Sequence, residues 1–185
     1  AARLGGAEIV VRNRVTATRP RPDGTWEGVT EKGSVIAEHV VNAAGLWARE
    51  VGEMAGVRLP LMPMAPQYLV TGDIPEIVEI LRGGDEFPHV MDPGGESYLR
   101  QEGRGLCIGF YEQPCQPWAV DGTPWSFGHE LLPEAFDKIE ASVGFAYRRF
   151  PVLERAGAKR GIHGPFTFSP DGNPLVGPVP ALRNY

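Results

Sequence analysis

Apolar positions alternate or cluster in short runs through the first third of the chain. They mark strands at Glu8–Val11, Arg14–Thr18, Thr25–Thr30 and Val35–Val41. Val15 and Ala17 are expected to share one face of the second strand. Arg19–Gly24, with Pro20, Pro22 and Asp23-Gly24, reads as a turn, and Glu31–Ser34 as another. Ala1–Gly6 resembles the end of a helix. The pattern predicts a small antiparallel meander whose last strand is buried at its end. That strand runs into Asn42-Ala43-Ala44-Gly45, which has almost no side-chain bulk. Trp47, Val51, Met54 and Ala55 follow at helical spacing, and Gly56 suits the stop. The predicted unit is strand, tight turn, helix. Gly45 is able to take a positive φ and to let a ligand or another backbone come close. Such turns at the carboxyl end of a strand often hold a nucleotide cofactor. The same residues also fit a plain strand–helix connection.

A second region begins at Arg58–Pro66, where Pro60, Pro63 and Pro66 enforce an extended chain. Gln67–Gly72 reads as a strand, Ile74–Leu81 as a short turn of helix, and His89–Met91 as a brief strand closed by Asp92-Pro93-Gly94-Gly95. Ser97–Gln101 and Leu106–Tyr111 read as a hairpin around a four-residue loop, Glu102–Gly105. Glu112–Gly128 is a long polar, Pro-rich loop with Trp118 and Trp125 as anchors, of the kind that forms lids. From Pro133 the period becomes helical through Phe136, Ile139, Val143, Ala146/Tyr147 and Phe150, and Pro151 ends it. This stripe is expected to cover one face of an antiparallel sheet. Ala158–Ile162 is one more strand.

Composition narrows the function. A length of 185 residues allows one large domain or two small ones. The net charge of −5, with no more than two Lys/Arg in a row, argues against nucleic acid. No stretch approaches the roughly 18 apolar residues of a membrane span, and the N-terminus has no signal pattern. Cys107 and Cys115 suit neither a zinc site nor a disulfide scaffold, and no two histidines stand at i, i+4, so no metal site is expected. No G-x-G-x-x-G loop is present: Gly83-Gly84, Gly94-Gly95 and Gly103-Arg104-Gly105 read as turns. A dinucleotide pyrophosphate site is therefore expected ahead of residue 1, and the chain is expected to be a fragment.

The string Val40-Val41-Asn42-Ala43-Ala44-Gly45-Leu46-Trp47-Ala48 resembles the second flavin-contacting segment of the amine- and amino-acid-oxidising flavoproteins, closest in look to dimethylglycine and sarcosine dehydrogenases. Gln67-Tyr68, Tyr98-Leu99-Arg100 with its Gly105 hairpin, Pro151-Val152-Leu153, and Pro170–Pro178 follow in that family's order. The resemblance implies a mixed fold, α+β / α/β. Residues 1–57 would be part of a Rossmann-like FAD domain with a β-meander. Residues 58–163 would form an antiparallel substrate domain covered by a helix, and 164–185 a return segment to the FAD domain. FAD is the implied cofactor, contacted by Asn42, Ala43, Ala44, Gly45 and Trp47, and by Gly164, Asp171, Pro174 and Gly177 of the return segment. The implied substrate is an N-methyl amino acid, and the implied acceptor an electron-transfer flavoprotein. The implied location is the cytoplasm in a bacterium or the mitochondrial matrix in a eukaryote. One departure stands out. Dimethylglycine-oxidising members often carry a His before Gln-Tyr, close to the flavin ring, and Pro66 stands there instead. A regulatory branch of the same fold, resembling the regulatory subunit of pyruvate dehydrogenase phosphatase, is the alternative that this departure fits.

The chemistry of C–N oxidation singles out two further side chains. The protein must orient an amine, keep it unprotonated, bind a carboxylate and exclude water. Tyr98 and Arg100 stand at i and i+2, on one face of their strand. A phenol and a guanidinium suit an amino-acid substrate: Tyr98 as the catalytic candidate and Arg100 for the carboxylate. The resemblance at Gln67-Tyr68 implies Tyr68 as a further substrate-binding residue. A half-buried strand aromatic and a surface charge pair are the plainer readings of Tyr98 and Arg100.

Overall fold

Three strands, β1 (Val15–Pro20), β2 (Trp26–Thr30) and β3 (Gly33–Ala37), pair antiparallel in chain order. The β1–β2 turn is set by Asp23, whose carboxylate accepts from the Thr25 N–H at 3.0 Å and from its hydroxyl at 2.5 Å. Trp26 anchors this part of the computed structural model, which describes residues 1–185. It is 1 % exposed, its ring centroid lies 5.3 Å from that of Tyr185, and its Nε1 donates to the Arg183 carbonyl at 2.9 Å. Ala55, just past helix α1 (Ala48–Met54), completes that core, and the Tyr185 hydroxyl donates to the Val51 carbonyl. These elements belong to a first compact unit, Ala1–Leu61 with Phe168–Tyr185.

Two expected strands differ here. Glu8–Val11 forms none, and Ile9, Val10 and Val11 lie exposed, because no neighbouring strand in this chain offers them a ladder. The run Val35–Val41 stops pairing at Ala37, whose partner Trp26 is the first residue of β2. Beyond it Val40 donates its N–H to the Asn184 carbonyl at 3.0 Å, and Val41 is exposed. β3 is solvent-facing rather than buried at its end. A register shift between Val15 and Ala17 breaks the expected alternation, and Thr18 is the buried residue of β1.

The second compact unit, Met62–Thr167, is built on a five-stranded antiparallel sheet. Its strands are β5 (Gln67–Thr71), β6 (Val90–Asp92), β7 (Ser97–Glu102), β8 (Gly105–Phe110) and β9 (Ala158–His163), in the order β6-β7-β8-β5-β9. A short β4 (Met62–Met64) pairs with β10 (Phe166–Phe168). Period-2 alternation places Leu69, Leu99, Ile108 and Phe110 on one face. There they meet Ile77 of α2 (Pro75–Arg82), Ala146 of α3 (Glu140–Arg149) and Leu153 of α4 (Val152–Ala156). Helices cover this face, and the opposite face presents the residues between.

The hairpin is tighter than expected. Glu102 pairs with Gly105, leaving only Gly103-Arg104 in the turn, with Gly103 at φ +58° as the first position of a type II′ turn requires. The helix expected from Pro133 starts later, with a 3-10 turn at Phe136–Lys138 and then α3. Its missing first turn has spent its backbone groups elsewhere. Buried Gln67 clamps Ala135, accepting from its N–H at 3.2 Å and donating to its carbonyl. A ring nitrogen of His163 lies 2.6 Å from the Pro133 carbonyl. Gln67→Leu is expected to lower stability by about 1–3 kcal/mol, because the Ala135 amide then loses both partners. Thermal melting of the complete protein checks this; an unchanged Tm would mean the clamp is replaceable by water.

Candidate active site: the open sheet face and two turns

The uncovered face of the sheet is set by β7 and its neighbours. Residues directly opposite one another in an antiparallel pair share a face. Tyr98 pairs with Gly109, and Gly109 pairs with Tyr68 on the far side, so one row crosses three strands. The next row is Arg100, Cys107, Val70 and Arg160. Tyr98 and Tyr68 are half-buried. The Tyr98 ring meets the His89 ring edge-on at 5.6 Å and the Tyr111 ring at 5.8 Å. Burial is the main reason its phenol is pushed above its ordinary value, so the hydroxyl keeps its proton. Buried Cys107 behaves likewise, its thiol raised by burial.

Arg100 lies on the same face, as its spacing from Tyr98 requires, and it has a partner within its own strand. Its Nη1 donates to Glu102 Oε2 at 2.5 Å and to the Gln101 carbonyl at 3.1 Å. The Glu102 bond raises the guanidinium's affinity for its proton. The second oxygen of Glu102 stands 4.0 Å from Arg160 Nη2. Sequence reasoning placed Glu102 in the hairpin loop and so missed it. It also missed His89, Tyr111 and Gly109, whose nearness to Tyr98 depends on strand register and on where the strands end.

In the first unit, the turn after β3 is held by Asn42. Its Oδ1 accepts from the Ala44 N–H at 3.2 Å, and its Nδ2 donates to the Ala48 carbonyl at 2.8 Å. Asn42 thereby ties the turn to the start of α1. Ala43 and Gly45 are exposed and Ala44 and Trp47 half-buried, with Gly45 to Trp47 in a 3-10 turn. Gly45 has φ +56°, and apart from the adjoining backbone no atom lies within 4 Å of where a Cβ would stand. This bare backbone with open space beside it fits a cofactor lying against the turn, since a side chain there would fill that space.

Asp171 holds its own turn together. Its carboxylate accepts from the Asn173 N–H at 3.1 Å and from the Ser169 hydroxyl at 2.9 Å, and these bonds keep its carboxyl below the ordinary range. Pro174 and Gly177 are exposed beyond it, with Gly177 at φ +144°. Gly164, in the second unit, donates its N–H to the Pro66 carbonyl at 3.4 Å.

Comparison with known proteins decides the family. The profile described as FAD dependent oxidoreductase matches residues 1–185. The chain belongs to the FAD dependent oxidoreductase family. It is 44% identical over 189 residues to the mitochondrial dimethylglycine dehydrogenase of Mus musculus, covering 100% of this chain and 21% of the relative. With the mitochondrial sarcosine dehydrogenase of the same species it shares 37% identity over 187 residues, 97% of this chain and 19% of that protein. The chain thus spans about a fifth of the length of these relatives. The L-proline dehydrogenase of P. horikoshii has the same fold at a TM-score of 0.75 and 23% identity, over 100% of this chain and 45% of that one. The mixed architecture with antiparallel sheets is that of this flavoprotein family, and FAD is the family's cofactor. No helix is long and apolar enough to cross a membrane.

Proposed function

We propose that this chain belongs to a dehydrogenase that oxidises the C–N bond of an N-methylated amino acid, such as dimethylglycine or sarcosine. The observation that carries the reading is the uncovered sheet face, where Tyr98, Gly109 and Tyr68 stand in register with Arg100 in the next row. Bound FAD supplies the hydride acceptor for a carbon attached to the amine nitrogen. Everything else falls to side chains. Tyr98, protonated and half-buried, offers a hydroxyl that orients the amine. Tyr68 and Tyr111 wall the site and thin its water. Arg100 binds the carboxylate through guanidinium donors. Pro66 adds no titratable group, and Tyr98 is assigned as the group addressed to nitrogen.

In the first unit the turn Asn42–Gly45, with Trp47, is assigned to hold FAD, Asn42 by fixing the turn and Gly45 by staying bare. Asp171, Pro174 and Gly177 are assigned to a second flavin-binding turn, and Gly164 is assigned as a further flavin-binding residue. An electron-transfer flavoprotein is the proposed acceptor, and the mitochondrial matrix or bacterial cytoplasm the proposed location. Support for the location comes from the mitochondrial names of the two mouse relatives.

Anaerobic flavin reduction in the complete protein tests the reading. Dimethylglycine or sarcosine is expected to bleach the flavin, and Tyr98→Phe to slow turnover by up to about tenfold, the scale of one neutral hydrogen bond of roughly 0.5–1.5 kcal/mol. Because burial raises the phenol, its hydroxyl is present below that raised value and lost only as pH climbs past it. The ratio of the two rates is therefore expected to stay level between about pH 7 and 9. If no amine reduces the flavin of the unmutated protein, the regulatory alternative replaces this one. If Tyr98→Phe turns over normally, Tyr98 is only part of the wall.

A further inference from the structure

We infer that Gly109 is a positioning residue for the substrate face: its missing side chain is the slot in which the Tyr98 ring lies, and it fixes where the Tyr98 hydroxyl stands. The inference rests on the reading of Tyr98 as the group that addresses the amine.

β8 is a central strand, paired with β7 on one side and β5 on the other. Its helix-facing residues Leu106, Ile108 and Phe110 are large and buried. On the open face it carries only Gly105, Cys107 and Gly109. A glycine inside a central strand weakens it, because it contributes chain entropy to the unfolded state and no packing to the folded one. Some glycines are required by a left-handed backbone, but Gly109 is not among the positive-φ glycines of this chain. Its backbone would accept any residue, so the reason for the glycine lies in what occupies the space above it.

That occupant is Tyr98. A Cβ built on Gly109 would stand 2.1 Å from both Cε1 and Cζ of the ring and 2.4 Å from the hydroxyl oxygen. Carbon atoms in contact stand about 3.5–4.0 Å apart, so the ring occupies the volume of the absent side chain. Two aromatic neighbours limit its escape, His89 at 5.6 Å and Tyr111 at 5.8 Å between centroids. A methyl group at position 109 must therefore lift or swing the ring by more than 1 Å or so, a misplacement that costs on the order of a hundredfold at a reacting centre.

The test is a cycle in the complete flavoprotein: unmutated, Gly109→Ala, Tyr98→Ala and the double variant, each read by Tm and by kcat on dimethylglycine. Gly109→Ala is expected to lower Tm and to reduce kcat roughly ten- to a hundredfold. In the Tyr98→Ala background the same change is expected to leave Tm level or raised and to remove no further activity, because the ring is gone and alanine suits a strand better than glycine. An equal loss of Tm in both backgrounds overturns the inference, as does a double variant that fails to fold like the single one. Tyr98→Phe separates this inference from the one beneath it. If Tyr98→Phe is slow and Gly109→Ala is not, the Gly109 inference falls and the Tyr98 reading stands. If Tyr98→Phe is as fast as the unmutated protein, the Tyr98 reading falls and takes the inference with it.

Discussion

Arg100→Met is expected to weaken binding of a carboxylate-bearing amine by about ten- to a hundredfold. A charge-assisted bond between guanidinium and carboxylate contributes roughly 1.5–3 kcal/mol, and methionine keeps the length of the stem while removing every donor. The ion pair with Glu102 shapes the experiment. The two side chains are 43% and 35% exposed, so water screens their attraction. An exposed pair of this kind contributes about 0–1 kcal/mol, less than a substrate carboxylate gains from a drier contact. Glu102 is therefore a displaceable competitor for Arg100. Glu102→Gln is expected to tighten the same ligand up to about fivefold, the reach of about 1 kcal/mol. The two substitutions move affinity in opposite directions, a pattern that loss of fold does not produce. Binding is read by titrating the flavin spectrum of the complete protein with a non-reacting carboxylate analogue, beside a matched amine lacking the carboxylate. If Arg100→Met weakens both ligands alike, or if Glu102→Gln weakens the carboxylate, Arg100 is a structural partner of Glu102 and the carboxylate lies elsewhere.

Legibility in the sequence followed how local the deciding interaction is. β7 could be read because it alternates between buried and half-buried positions, and β8 because it is a short apolar run buried on both faces beside a Gly-containing turn. α1 could be read because its apolar spacing and the stop at Gly56 lie within one short window. The stretch before α3 could not. Its backbone groups are claimed by Gln67 and His163, which are far away in sequence. Nor could the end of β3, which is set by where β2 begins rather than by the β-branched Val40 and Val41. The site divides in the same way. Tyr98 and Arg100 share a face by spacing alone. Glu102 continues that alternation, but Glu102-Gly103-Arg104-Gly105 reads as a loop, and only its pairing with Gly105 makes it the last residue of β7. Gly109 carried no signal at all: its role exists only once the register sets it opposite Tyr98.

Gly45→Val is expected to cut flavin affinity by roughly ten- to a hundredfold while the protein still folds. Two effects have to be separated, strain in the chain and loss of space beside it. At φ +56° any L-residue is strained, by roughly 1–2 kcal/mol for an ordinary side chain and more for a β-branched one. That term is intrinsic to the backbone and lowers Tm whether or not a cofactor is present. The second term exists only if something lies against the turn. Apart from the backbone adjoining it, no atom of the chain approaches within 4 Å of the missing Cβ, so the first carbon of a side chain at position 45 enters open space. Valine would instead project into the volume assigned to FAD, and forcing atoms into an occupied, well-packed site costs typically 1–3 kcal/mol. Gly45→Ala is the control, since it carries most of the strain and little of the bulk. Both variants are expected to melt a few degrees lower than the unmutated protein, and only valine to lose most of its flavin on gel filtration. Flavin content by absorbance and Tm by calorimetry, taken on the same samples, give the two readouts. Should both variants melt lower and keep stoichiometric flavin, the open space beside Gly45 belongs to no cofactor, and the turn is only the connection between β3 and α1.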